Sequence, residues 1–321
     1  MQIGICLGDP AGIGPELVDA LLAEPVLPAV DLVIFGHRAL LPRARTSSRL
    51  TIVEPPFSLA VIPGQPSAES ARAQVAYLED AAQALFEQRL VGIVTAPINK
   101  YEAERAGFRY PGHTEFFASL GGRVDDRPVT MSFVGPRLRV ALATAHLGLR
   151  AAIDRLVAEP ERITQAAVHL CELLRVGFGV ASPRIAVAGL NPHAGERGRF
   201  GTEEAQFISA IAAAQQRCSW AQIVGPVVPD VVFRQALLDT TDRRYDAVVA
   251  LYHDQGLIPC KTLDFDRTVN VTLGLPFVRT SPDHGTAYDI AGRGVARPDS
   301  MRAALALCVQ LVGSGTAGSS V

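Results

Sequence analysis

Cysteine is scarce and unpatterned. The five cysteines (Cys6, Cys171, Cys218, Cys260 and Cys308) form no Cys-x-x-Cys pair, and an odd number fits a reducing compartment better than a disulfide framework. Charge is also sparse: 19% of residues are charged, the net charge is −2, and no basic run occurs. Neither nucleic acid nor an anionic membrane surface is therefore an expected partner. No window approaches 18 uninterrupted apolar residues, which argues against a spanning helix. The first residues begin a strand rather than the charged start and apolar core of a secretion signal, so the cytoplasm is the expected location. No repeat of solenoid period is present.

What is abundant is apolar: 48% hydrophobic residues over 321 positions, enough for about two ordered domains. Short apolar runs at 3–7, 32–35, 90–94, 138–144, 185–190 and 247–251 each lead into a polar or glycine-rich cluster. Amphipathic stretches at 67–88, 159–175 and 202–218 lie between them. Strands alternating with helices predict an α/β protein with a largely parallel core. Residues 46–66, with four prolines, read as a surface excursion, and the Gly/Ser-rich tail 313–321 as a fraying end.

The polar clusters carry the chemistry. Gly8-Asp9-Pro10-Ala11-Gly12-Ile13-Gly14-Pro15-Glu16 is either a phosphate-binding loop or a tight strand-to-helix turn. It lacks both the Walker lysine and the dinucleotide-fold glycine spacing. His146, His193 and His253 each follow a predicted strand, and parallel strand ends gather on one sheet edge, where open α/β sheets bind ligands. Three imidazoles leave coordination positions open, as in catalytic metal sites, and Glu196 and Asp254 are candidate outer partners. Imidazole suits Zn²⁺, Co²⁺ or Ni²⁺ better than Mg²⁺. His113, in Gly112-His113-Thr114-Glu115, opens a helix and is either part of a Thr114-capped turn or an anion contact. Lys261, Asn270 and Arg279 supply a point charge, an amide and a planar fork, a set suited to phosphate. His37 and His169 have no such company and read as structural.

These segments, together with TAPINK at 95–100, the GTEE at 201–204, YHDQG at 252–256 and VNVTLGLPFVRTSPDHGTAYDIAG at 269–292, resemble the 4-hydroxythreonine-4-phosphate dehydrogenases of pyridoxal phosphate biosynthesis. The resemblance runs in order from residue 8 to residue 292. It implies a fold similar to the isocitrate and isopropylmalate dehydrogenases, two α/β/α domains with a cleft between them. We draw these as 1–112 plus 268–321, carrying the nucleotide loop, and 113–267, carrying the metal ligands and dimer contacts. It further implies His146, His193 and His253 as metal ligands for Zn²⁺, Co²⁺ or Mg²⁺, and His113, Thr114, Lys261, Asn270 and Arg279 as substrate contacts. Asp230 matches an acidic residue implicated in the family's catalysis, in the segment that departs most from the family pattern. The implied assembly is a homodimer with active sites at the subunit interface, His253 coming from the neighbouring subunit. His284-Gly285-Thr286-Ala287-Tyr288-Asp289 is similar to the adenosine loop of isopropylmalate dehydrogenases. Asp289 there would accept from ribose hydroxyls and repel a 2′-phosphate, which favours NAD over NADP.

The implied reaction is NAD-dependent, metal-assisted oxidation of the phosphorylated hydroxy amino acid 4-phosphooxy-L-threonine to a 3-oxo acid, which decarboxylates. Asp230 and Asp254 are the candidate bases, and Lys100 is a candidate carboxylate partner. The alternatives are oxidation of a phosphorylated four-carbon sugar acid or a dihydrodiol dicarboxylate and, on another chemistry, phosphate acyl transfer.

Overall fold

A computed structural model describes residues 1–121 and 129–315. The chain forms two compact units, Met1–Arg127 with Leu275–Val321, and Pro128–Gly274. Thus the helix that begins at His113 belongs to the first unit and the strand carrying Asn270 to the second.

The first unit opens with β1 (Gln2–Cys6), α1 (Gly14–Leu22), β2 (Asp31–Phe35), β3 (Leu50–Val53), α2 (Ala68–Phe86), β4 (Gly92–Thr95), α3 (Lys100–Arg105) and α4 (His113–Gly121). The expected excursion at 46–66 therefore contains a strand. Leu50-Thr51-Ile52-Val53 is β-branched enough to pair in parallel with β2, and it stays only half-buried because it pairs at the end of that sheet's strand order. The start of α2 is fixed by Ser67 and Ser70: each hydroxyl accepts the other's backbone N–H, at 3.1 and 3.0 Å. Such a reciprocal cap is worth about 1 kcal/mol.

The second unit contains β5 (Thr130–Val134), β6 (Arg139–Leu142), α5 (Leu149–Ala158), α6 (Glu161–Glu172), β7 (Arg184–Ala188), α7 (Glu204–Arg217), β8 (Gln222–Val227), α8 (Pro229–Val232), β9 (Ala247–Ala250), α9 (His253–Asp264) and β10 (Val269–Leu273). The chain then returns to the first unit with β11 (Val278–Pro282) and α10 (Asp299–Gly313). From residue 316 the expected fraying tail lies outside the described residues.

In the first unit the strand order is β3-β2-β1-β4-β11, all parallel. In the second it is β10-β5-β6-β9-β7-β8, with β6, β9, β7 and β8 parallel and β5 antiparallel to both neighbours. The parallel strands are apolar on both faces: Ala247, Val248, Val249 and Ala250 are all fully buried. On one face Phe133, Val140, Leu142, Val248 and Leu257 form a cluster that α9 covers. Among the described residues no helix is long and apolar enough to cross a membrane.

Candidate functional site

Sheet order places the histidines. His146 follows β6, His253 begins α9 directly beyond β9, and His193 follows β7. These three strands are adjacent and parallel, so their carboxyl ends form one edge. His146 and His193 are exposed and His253 is half-buried. The rings of His146 and His253 lie 5.9 Å apart in the same chain, inclined at 40°. His253 Nδ1 stands 2.7 Å from Asp254 Oδ1, an outer-partner geometry that leaves Nε2 for a ligand. Among the described residues of one chain, no three His, Cys, Asp or Glu side chains converge closely enough to enclose a cation. The donor set nonetheless fits a divalent metal: imidazole nitrogens on one rigid edge, one of them oriented by a carboxylate.

His193 stands in an unusual stretch. His193, Ala194, Gly195, Glu196 and Arg197 all have positive φ, between 40° and 78°. A left-handed conformation costs about 1–2 kcal/mol for each non-glycine residue, so the run must be held by its surroundings. Glu196, expected to orient His193, instead pairs with Arg199 at 3.9 Å, because the left-handed turn carries it the other way. His193 lines a cavity of about 590 Å³ together with Asp230, in the first turn of α8, and Asp254, in the first turn of α9. Both candidate bases thus share one cavity with an imidazole.

In the first unit, Arg279 on β11 is 3% exposed, and its Nη2 donates to Thr95 Oγ1 at 2.8 Å. Burial lowers its pKa to about 10. His113 is held well below its usual pKa by burial and then by the charges of Arg279 and Lys100, so it is neutral. Its Nε2 is enclosed without a protein hydrogen-bond partner. Lys100 lies against the same turn: a Cβ on Gly112 would come 3.5 Å from Lys100 Nζ. Two cations and a neutral imidazole are the elements of an anion site. Thr114 does not cap the helix; α4 already includes His113, and Phe116 N–H donates to Gly112 O at 3.1 Å. In the second unit the Oδ1 of Asn270 on β10 is likewise enclosed without a hydrogen-bond partner, and Lys261 Nζ sits 5.7 Å over the Phe265 ring. His37 and His169 are structural, bonded to Tyr77 (2.5 Å) with Phe57 O (2.8 Å), and to Thr130 (2.9 Å), respectively.

The loop after β11 is pinned to the first polar cluster. Thr286 O accepts from Ile13 N at 2.9 Å, and Tyr288 Oη donates to the fully buried Asp9 carboxylate while accepting from Asn99 Nδ2 at 2.8 Å. His284 Nε2 meets Ser300 Oγ at 3.0 Å, Gly285 has open space where a side chain would be, and Ala287 has φ 45°. Asp289 points outward, exposed. A pinned backbone presenting an outward carboxylate fits a nucleotide's ribose. The first cluster forms a tight turn that uses several of its own amides. Asp9 N–H donates to Pro97 O, Ala11 N–H to Asp9 Oδ1, Gly12 N–H to Asp9 O, and Ile13 N–H to Thr286 O, all at 2.9–3.0 Å. Sequence reading missed the partners of these groups: Thr95 beside Arg279 and the Asp9–Tyr288 pair under the loop, all inside segments it had singled out.

Fold and site together define a two-unit α/β protein with imidazole and carboxylate groups at the carboxyl edge of a parallel sheet and a buried guanidinium site. The chain belongs to the PdxA family, the pyridoxal phosphate biosynthetic proteins, whose model matches residues 27–308. A 4-hydroxythreonine-4-phosphate dehydrogenase of Synechococcus sp. (strain JA-2-3B'a(2-13)) is 42% identical, with 97% of each chain covered. The crystal structure of a 4-hydroxythreonine-4-phosphate dehydrogenase from Klebsiella pneumoniae is similar at TM-score 0.82 and 37% identity, covering 97% of this chain and 99% of that one. A terephthalate 1,2-cis-dihydrodiol dehydrogenase from Burkholderia xenovorans LB400 is similar at TM-score 0.64 and 28% identity, covering 98% of each.

Proposed function

We propose that this chain is an NAD-dependent, metal-assisted oxidoreductase acting on 4-phosphooxy-L-threonine. The product is a 3-oxo acid that loses CO₂ to give 3-amino-2-oxopropyl phosphate, in pyridoxal 5′-phosphate biosynthesis. The observation that carries this reading is the cavity at the sheet edge, where His193 stands beside two carboxylates and next to the strand ends bearing His146 and His253. The names of full-length relatives at about 40% identity support the substrate.

In this reading His146, His193 and His253 hold Zn²⁺, Co²⁺ or Mg²⁺. A cation held there would supply Lewis-acid chemistry, making the substrate's C3 alcohol easier to deprotonate. NAD would be held by the loop 284–289 and would supply the hydride acceptor for C3. The chain does the rest. Asp230 or Asp254 takes the hydroxyl proton, both being on the cavity wall beside His193. Arg279, Lys261 and Asn270 bind the phosphate, and that remote binding energy orients C3. Neutral His113, with Thr114, serves as a hydrogen-bonding partner to the anionic substrate without adding charge, while Lys100 neutralises it. Loop residues His284, Gly285, Thr286, Ala287 and Asp289 seat the adenosine, with Asp289 selecting against a 2′-phosphate.

We infer a homodimer in which the neighbouring copy completes the metal site. Exposed Val231 and Ile258, 40% and 65% accessible, support this, since Ile258 also lines the cavity. The test mixes protein, NAD, a divalent salt and 4-phosphooxy-L-threonine and follows NADH absorbance. Turnover dependent on both metal and phosphate supports the reading. A second reading, oxidation of a dihydrodiol dicarboxylate, is favoured by the structural likeness at 28% identity. Turnover of that substrate and not of the phosphate would replace the first reading with the second.

A further inference from the structure

We propose that Glu204 is a positioning residue that holds the left-handed loop of His193 in place for cation binding; the inference rests on the metal reading above. Glu204 is the first residue of α7 and is 7% exposed. Its Oε1 accepts the backbone N–H groups of Leu190 and Asn191, at 3.1 and 2.7 Å, and its Oε2 accepts Asn191 Nδ2 at 2.9 Å. Asn191 Nδ2 is also 2.8 Å from Glu203 Oε2. The loop closes tightly over this carboxylate: a Cβ on Gly195 would stand 2.8 Å from Glu204 Oε2.

The arrangement answers a physical question posed by the backbone. Five successive residues with positive φ, four of them not glycine, do not hold that shape by their own preferences. A buried carboxylate needs donors, and the amides at the root of this loop supply three of them. Carboxylate and loop therefore stabilise each other, and His193 is carried two residues beyond Asn191. The same root of the turn is held independently from a second side. Gln255 Nε2 donates to Gly189 O at 2.8 Å while its Oε1 accepts Leu251 N–H at 2.7 Å, two residues before His253. Side chains from α7 and α9 thus brace the segments bearing two of the histidines.

Removing the brace should leave all three imidazoles present but lower their affinity for the cation. The probe is Co²⁺ alone, with the full chain, followed by visible absorbance and by competition with a chromophoric chelator. Hydrogen exchange at 190–198 is read in parallel. Glu204→Gln keeps one acceptor oxygen but sets an amide donor against Asn191 Nδ2; Glu204→Ala removes the whole contact. We expect weaker Co²⁺ binding by about 10- to 100-fold, with Glu204→Gln the milder variant, and faster exchange confined to the loop. Asn191→Ala, which approaches the contact from the other side, serves if Glu204→Ala does not fold. Wild-type affinity in Glu204→Gln and Asn191→Ala would overturn the proposal alone. Absence of Co²⁺ binding by the wild type, or binding unaffected by His193→Ala, would overturn the metal reading and this inference with it.

Discussion

Replacing Tyr288 with phenylalanine removes one oxygen from a hydrogen bond to a buried carboxylate of the first unit. Asp9 is fully buried, and its carboxylate receives Ala11 N–H at 2.9 Å and the Tyr288 hydroxyl. Burial raises the Asp9 pKa, and the hydrogen bond from Tyr288 is the largest influence opposing that rise. Without the hydroxyl a buried anion loses a donor, at a cost of about 1–3 kcal/mol. At about 2–4 °C per kcal/mol for a chain unit of this size, a loss of ~2 kcal/mol lowers Tm by about 4–8 °C.

The pH dependence carries the test. Because the folded-state pKa of Asp9 lies above its unfolded value of about 3.9, the folded state holds the proton more tightly. Stability therefore falls as pH rises from the unfolded pKa through the folded one. The variant's folded pKa is higher still, so its loss continues to higher pH. The difference between the two proteins should shrink in acid toward the worth of a neutral hydrogen bond, about 0.5–1.5 kcal/mol, and grow to its full size above the variant's folded pKa. Urea unfolding across a pH series measures it. A difference that stays flat with pH, or that widens in acid, would refute the reasoning.

Three further outcomes follow from the site. Arg279→Ala should raise KM for a phosphorylated substrate by about 10- to 150-fold, the loss of one or two charged hydrogen bonds, with a smaller change in kcat; steady-state kinetics checks this, and an unchanged KM would remove Arg279 from the phosphate site. Asp289→Lys should weaken NAD and narrow the preference against NADP, measured as the ratio of kcat/KM for the two cofactors; an unaltered ratio would locate the ribose elsewhere. Gly8→Ala should destabilise the first unit by about 1–3 kcal/mol, since φ is +68° and the new Cβ would stand 2.2 Å from Pro97 O; chemical denaturation reports it, and a cost below about 0.5 kcal/mol would contradict the packing of the turn.

Much of this was legible because parallel strands announce themselves. The runs around Ile5, Val94, Val187 and Val249 are apolar on both faces, and each emerged as a buried strand. The helices near 67–88, 159–175 and 202–218 also lie where amphipathic spacing put them. What escaped was pairing that depends on the rest of the molecule. Leu50–Val53 lies among prolines and is too short and half-exposed to stand out, yet β2 recruits it. Thr130–Val134 runs antiparallel between β10 and β6, a register no local pattern declares. At the site, strand-end position singled out His146, His193 and His253 as candidates, and the structure brings the rings of His146 and His253 to 5.9 Å. The positive φ run at His193, the reversal of Glu196 toward Arg199, and the bracing by Glu204 arise from packing and have no signature in spacing.

The order in which the two units are laid down along the chain has a consequence for biogenesis. All of Pro128–Gly274 is synthesised before β11, whose Val278, Arg279 and Thr280 pair with Gly92, Ile93 and Val94 of β4. On the ribosome the interrupted unit must wait with β4 unpaired along one side, while the inserted one already has every strand it needs. A stalled or prematurely released chain ending near Gly274 would expose that bare flank, together with the apolar surface that α10 normally covers. Such a fragment is a natural substrate for chaperones and proteases, even though its inserted unit is whole.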